Sequence, residues 1–518
     1  MLTYISPEFL SRLTRVVGFN KTQYQFVHRL YSRFISFRSR CALTAFPGLQ
    51  GRKGYPFGYA SDFLPIRSSD RNRRKFEVAL GLLVGLIAWP HKVLAETCEI
   101  RAGQSFKLAL EKLRPGDTLI VHQGTYSESG RVSITVRGTA SAPVMITGAE
   151  GEATPLITRP ASAEEQSTIH IEGATHLTIK GLEITGNGGD GVRLLKAPSF
   201  ITLEDLTIHN IDVGINFRSS MHHITVRRNH IYQTGALGGT GEAMYVGCNY
   251  AECAVSNSII EGNWIHDTLQ ASQGDGIEIK RGSHSNVIRD NTLYNTNYPC
   301  IVLYGTEGNE RNLVEKNVMW DCGEAGIQAA ADAVIQNNII FGGPGVGFLS
   351  QDHQEVTPNN LEFVHNTVVG GSPCIRLSDW NHKLGLIFAN NAVYCESPLR
   401  IFGLEGVSFS GNVVYPTPSG LPAEGYVVGH SPLLDFADAW DRNVYPSENS
   451  ALIGAGDTLY VTERDFNGVA RREVPDAGAY TWIGRNNTGW KIGPGFKEKR
   501  PEKASRLLSK PRTREFER

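Results

Sequence analysis

The sequence predicts an all-β fold in which one chain winds into a stack of parallel coils, a β-helix, and three observations point to it. An asparagine recurs three positions after a β-branched or aromatic residue at Asn229, Asn263, Asn291, Asn317, Asn338, Asn366, Asn391 and Asn412, with intervals of 34, 28, 26, 21, 28, 25 and 21 residues. Leu182 and Leu206 hold the same place in two earlier repeats. Each repeat carries short strands of alternating pattern, such as Ile277-Glu278-Ile279, set off by Gly and Asn turns. No helix-length apolar pattern intervenes. A unit this short cannot bury its own apolar face, so neighbours must stack, with equivalent residues about 4.8 Å apart along parallel strands. About ten such coils are expected.

In chain order, residues 1–72 are basic and aromatic without clear periodicity and read as an extension upstream of the working protein. Residues 73–95 read as an export signal: Arg73, Arg74 and Lys75 precede the apolar stretch from Val78 to Trp89, and Val93-Leu94-Ala95 offers small-x-small cleavage after Ala95. That stretch is shorter than the roughly 20 apolar residues of a membrane helix, so no stable span is expected. The β-helix is expected over residues 96–485, followed by a basic, flexible tail over 486–518.

The formal net charge of -1 conceals an uneven distribution. Residues 1–75 hold 14 Lys/Arg and 3 Asp/Glu, whereas residues 96–518 hold 36 against 48. Without the tail the body carries 26 against 44, a net of -18. Such a surface repels nucleic acid, which excludes that partner. A polyanionic substrate would need calcium or local cations such as Lys280, Arg218 and Arg281 to overcome the same field.

Seven cysteines follow Ala95, and an odd count implies one thiol that is free or intermolecular. Cys300 and Cys322, 22 apart, and Cys374 and Cys395, 21 apart, match one coil and lie within disulfide reach, with stacked free thiols as the alternative. Cys248 and Cys253 are placed to close a loop inside the longest repeat. No CxxC or Cys/His spacing of a zinc site occurs.

Near the start, residues 106–126 (FKLALEKLRPGDTLIVHQGTY) read as a short helix, a Pro-Gly-Asp turn and a strand. With the following VRGTASAPVMITGAEGEATPLI, this stretch resembles the N-terminal cap and first coils of right-handed parallel β-helix proteins of the pectate-lyase-like superfamily. The alginate and chondroitin lyases of polysaccharide lyase family 6 are the nearest enzyme group. The closing DFNGVARREVPDAGAYTW, 465–482, resembles the terminal segment of many exported β-helix proteins. The resemblance implies a right-handed helix, a monomer, export, and an acidic polysaccharide as partner.

Taking Val192/Leu194, Ile215/Phe217, Met244/Val246, Ile277/Ile279, Ile301/Leu303 and Ile327/Ala329 as inward pairs, the residues between them form an outward column: Arg193, Asn216, Tyr245, Glu278, Val302, Gln328. The next column reads Leu195, Arg218, Gly247, Lys280, Tyr304, Ala330, and the preceding bend holds Asp190, Glu242, Asp275 and Pro299. Ionisable residues concentrate from Asn216 to Tyr304.

A lyase of this kind must neutralise a uronate carboxylate, take the C5 proton and protonate the leaving oxygen. By resemblance, Glu242, Asp275 and Glu278 would hold calcium and Lys280 would be the base. Arg218 would be the assisting cation, and Tyr304 or Tyr245 the acid or sugar platform. Arg193, Asn216, Tyr245 and Arg281 would contact substrate. Lys280 stands closer to its acidic neighbour than the family's base does, and no Arg-His pair follows one coil later. There is no Asp-Pro-His motif of the mannuronan epimerases. Three other readings remain open: a charged ladder serving only solubility, a non-catalytic carbohydrate-binding or envelope protein, and a polysaccharide hydrolase of the polygalacturonase type, which needs paired carboxylates around a water.

Overall fold

The computed structural model describes residues 95–162, 167–235, 238–268, 271–395, 399–418, 421–484 and 487–496. The expected extension and the export signal up to residue 94 lie outside the described residues, as does the tail beyond 496. Among the described residues no helix is long and apolar enough to cross a membrane.

The chain forms a right-handed parallel β-helix whose three faces are sheets of 14, 11 and 13 strands. Pairing within all three is parallel, and each strand lies against its equivalent in the coil before and after, which gives about twelve turns. Two or so more than expected are found because the first coils carry no ladder asparagine. A helix from Phe106 to Leu110, with Ser105 as its N-cap (Leu108 N donates to Oγ, 3.1 Å), caps the N-terminal end by burying Phe106, Ala109 and Leu110.

Inside, like side chains stack coil on coil. The twelve residues predicted to point inward from the eleven-stranded sheet, from Val192 to Ala329, are all at most 1% exposed. Phe363, Phe388 and Phe409 stack at centroid spacings of 5.3 and 5.7 Å. The asparagine column is a continuous ladder. Asn291, for example, donates from N and Nδ2 to Asn317 Oδ1 (both 3.0 Å) and from Nδ2 to Ile260 O (2.9 Å). The left-handed backbone expected at these asparagines belongs instead to the residue before each: Arg228, Asp290, Lys316, Asn337, His365 and Asn390 have φ of 54 to 57°. The asparagine is the buried half of the bend, because only there can its amide meet the coils on either side.

Disulfides join Cys248 to Cys253, Cys300 to Cys322 and Cys374 to Cys395. Cys98 is also disulfide-bonded, so the free thiol that an odd count implied is not found among the described residues. The coils end earlier than expected, at the strand Tyr426–Val428. Residues 432–496 form a separate closing segment, with one antiparallel pair, Phe436–Asp438 and Asn443–Pro446. It packs Phe436, Tyr445, Phe466 and Tyr480 onto Trp320, Phe341 and Tyr394 of the thirteen-stranded sheet. The stretch 487–496, expected in the flexible tail, belongs to this segment, since Asn487, Ile492 and Phe496 are buried in it.

Candidate functional site

The eleven-stranded sheet carries the predicted columns in the predicted register. Its strands β1 (Val192–Leu195), β2 (Ile215–Phe217), β3 (Met244–Val246), β4 (Ile277–Ile279), β5 (Ile301–Leu303) and β6 (Ala325–Ala329) place Arg193, Asn216, Tyr245, Glu278, Val302 and Gln328 one above another. Coils here approach so closely that a Cβ on Gly276, at the bend leading into β4, would lie 2.4 Å from the carbonyl oxygen of Cys300. Gly276 lets Asp275 and Glu278 sit on one tight bend and strand.

A charged ladder serving only solubility does not describe this surface. Glu242, Asp275, Glu278 and Lys280 are 0, 3, 2 and 4% exposed. One carboxylate oxygen from each of Glu242, Asp275 and Glu278 lies within 4.8 Å of the other two. Glu278 Oε1 accepts from Lys280 Nζ and from the Tyr304 hydroxyl (2.9 Å). Glu242 Oε2 accepts from Thr240 Oγ1 (2.8 Å). Glu242 Oε1 and Glu278 Oε2 are buried with no hydrogen-bond partner.

The electrostatics follow from that crowding. Burial, with the Glu278 charge adding to it, pushes the Glu242 carboxyl up to about 7. Burial, then Glu278 and Glu242, hold Asp275 well above the usual carboxylate range. The phenols rise too, Tyr245 to about 12 and Tyr304 further, chiefly through burial and next through the Glu278 charge.

Lys280 sits between two rings, 4.7 Å from the Tyr245 centroid and 4.8 Å from that of Tyr304. Arg218 covers the Tyr245 ring at 5.3 Å. Gly247, one coil before Lys280 and at φ +106°, has no side chain to fill that space. The Tyr245 hydroxyl donates to Asn249 Oδ1 (2.8 Å). Asp190, at the bend before β1, accepts from Ser167 Oγ and Asn216 Nδ2 (3.2 Å each), with Arg193 Nε 3.6 Å away.

A cleft of about 420 Å³ opens over these groups. It is lined by Arg193, Asn216, Arg218, Glu242, Tyr245 and Lys280 of the predicted residues, with Asp275 and Glu278 beneath. Tyr304 is also beneath, its hydroxyl turned to Glu278. Arg281 is not brought to the cleft: its guanidinium is held by Glu307 and, at 3.3 Å, by Glu355. Thr240, Asn249, Gln273 and Gln354 line the cleft without a sequence signal, because each arrives on a loop between strands. Asp190 stood in the predicted bend column, and its place in the cleft wall was legible there.

The family model described as the right handed beta helix region matches residues 162–310 and 306–393. No curated protein matches the chain in sequence. Among solved structures, XylC in complex with xylose superposes with a TM-score of 0.51 at 12% identity, covering 75% of this chain and 96% of that one. Pectate lyase Pel9A gives 0.48 at 15% identity, covering 75% and 97%. The PL6 family alginate lyase AlyGC gives 0.45 at 16%, covering 77% of this chain and 59% of the other. At these identities the likeness is one of fold alone.

Proposed function

We propose that this right-handed parallel β-helix is an enzyme that cleaves an acidic polysaccharide by β-elimination, with calcium held by Glu242, Asp275 and Glu278. One observation carries the reading. Three buried carboxylates converge opposite a single ammonium and leave two oxygens unpartnered, a negative charge that burial makes costly and that a hard divalent cation would balance. Calcium bound there would neutralise the uronate carboxylate and make the C5 proton removable.

The chain's own groups supply the rest. Lys280 Nζ, lining the cleft and held between two rings, is the group assigned to take the C5 proton. The electron pair of the C5–H bond becomes the C4–C5 double bond as the C4–O bond breaks. The Tyr245 hydroxyl, at the wall beside Asn249, is placed to give the leaving oxygen its proton. Arg193 and Arg218, at the more exposed side, suit the carboxylates of neighbouring sugars. Tyr304 positions Glu278 and does not touch substrate. The disulfides support the expected export.

A second reading rests on Glu242. A carboxyl pushed up to about 7 suits a general acid, and with Asp275 or Glu278 as its partner the cleft would hydrolyse a glycosidic bond. The full-length protein should be incubated with alginate, polygalacturonate, chondroitin and dermatan, with calcium or a chelator, while ultraviolet absorbance and reducing ends are followed. A calcium-dependent rise in absorbance, abolished in Lys280→Ala, is the expected result. Reducing ends without absorbance would replace the lyase by the hydrolase. No product of either kind would sink both and leave a binding protein.

A further inference from the structure

The outward column does not stay open along the helix. Arg193 has 39% of its side chain exposed, but Asn216 and Tyr245 fall to 8%, Glu278 and Val302 to 2% and Gln328 to 5%. One coil past Lys280, a turn from a later coil packs on Tyr304 and Gly305, closed by a backbone bridge between His353 and Val356. The His353 ring stacks on Tyr304 at 5.1 Å. Glu355 holds Arg281, 74 residues earlier in the chain, at 3.3 Å. Val356 reaches Gly305 so closely that a Cβ there would stand 3.2 Å from its Cγ1. Lys383 Nζ fastens the far side of the turn at Thr357 Oγ1 (2.9 Å). Gln354, at the tip, forms part of the cleft wall.

Among the described residues the cleft is therefore lined from the coil of Arg193 to that of Lys280, and no member of the outward column beyond Glu278 lines it. Four coils at about 4.8 Å span roughly 14 Å. The volume of about 420 Å³ lies low in the range of ligand pockets, which corresponds to roughly two or three sugar rings. A polymer lying through the site would have to continue past Tyr304 and Gly305, where the turn sits.

Resting on the carbohydrate-cleaving reading of the same cleft, we propose that it admits the end of a chain rather than its middle. The turn 352–357 is the wall that stops the chain one coil past the carboxylates, and cleavage is exolytic, releasing units of one short length from the first turnover. Glu355 and Arg281 act as positioning residues for that wall and touch no substrate.

Two measurements on the full-length protein test this, and the second does not depend on turnover. Product lengths and viscosity are followed together during digestion of a long polymer. A single short product with little early loss of viscosity is expected, whereas a rapid fall with broad mid-length products would overturn the proposal. Binding of uronate oligosaccharides of graded length to the Lys280→Ala variant should tighten about tenfold per added unit up to the second or third and stay flat beyond it. Affinity that keeps rising with length would overturn the proposal even if the enzyme is active, and no binding at any length would overturn both it and the functional reading. Removing residues 353–356 should shift products to mid-length and extend the length dependence of binding. An unchanged product pattern in that variant would remove the turn from its role.

Discussion

Glu242 is fully buried, and its carboxyl is pushed from an ordinary 4.5 up to about 7 by that burial. A carboxyl raised in the folded state contributes stability that is fully present below its unfolded value and is lost as pH rises through the folded one. Metal-free protein should therefore lose stability between about pH 4.5 and 7, by an amount on the order of 3 kcal/mol. His170 works the other way. Burial holds its imidazole down to about 4, so its contribution is lost as pH falls below its unfolded value near 6.5. The comparison that isolates Glu242 is wild type against Glu242→Gln, which keeps an acceptor for Thr240 and cannot ionise. In chelator the variant should gain on wild type as pH rises toward 8, and added calcium should raise the melting temperature of wild type only. Parallel melting curves across pH would remove the charge strain from the account. The sequence placed Glu242, Asp275, Glu278 and Lys280 together because strand alternation and coil length fix which residues share a column. It did not reveal that the column is buried, nor that Arg281 is taken up by Glu307 and by Glu355, 74 residues away.

The asparagine ladder is the element that holds successive coils in register. Removing the Asn317 side chain leaves Asn291 N without its acceptor and Ile288 O without its donor, and costs Asn291 Nδ2 one of its two bonds. Asn317→Leu should then cost about 3 kcal/mol or more, read as a lower urea midpoint with an unchanged slope. At the start of the ladder the neighbour of Asn229 is Leu206, which has no side-chain amide to satisfy and lends only its backbone N–H (2.9 Å). Asn229→Leu also leaves Leu206 N and Leu203 O unpartnered but strands no neighbouring amide, so it should cost less by about 1 kcal/mol, and equal losses at both positions would show that the amide-to-amide bond adds nothing. The ladder was legible because one residue type repeats in one frame. A second, shorter one was not, because Ser258, Asn286 and Asn312 share a role without sharing a residue type or a flanking pattern.

At the scale of the whole molecule, each strand pairs with those of the adjacent coils, and closure also depends on the links that cross between turns. Cys300–Cys322 is one of them, a sequence separation of 22 between the bend before β5 and the following coil. Replacing both cysteines by serine should cost about 3 kcal/mol in urea unfolding. It should also weaken calcium binding, because Cys300 O packs on Gly276 beside Asp275. Stability unchanged by the replacement would mean that stacking alone sets the closure. The coils themselves were legible from period and alternation, whereas the closing segment was not cut at the right place. Its run of Phe436, Tyr445 and Phe466 serves an outer sheet face rather than a coil interior, and apolar spacing alone does not tell the two apart. The ladder intervals carry one more consequence. A coil that only continues the stack needs 21 residues, as between Asn317 and Asn338, yet the coils that carry Tyr245 and Glu278 take 34 and 28. The surplus includes the Cys248–Cys253 loop. The ladder thus works as a graduated ruler: the coils of Tyr245 and Glu278 overrun its marks, and so does the coil that carries the 352–357 turn, with 28.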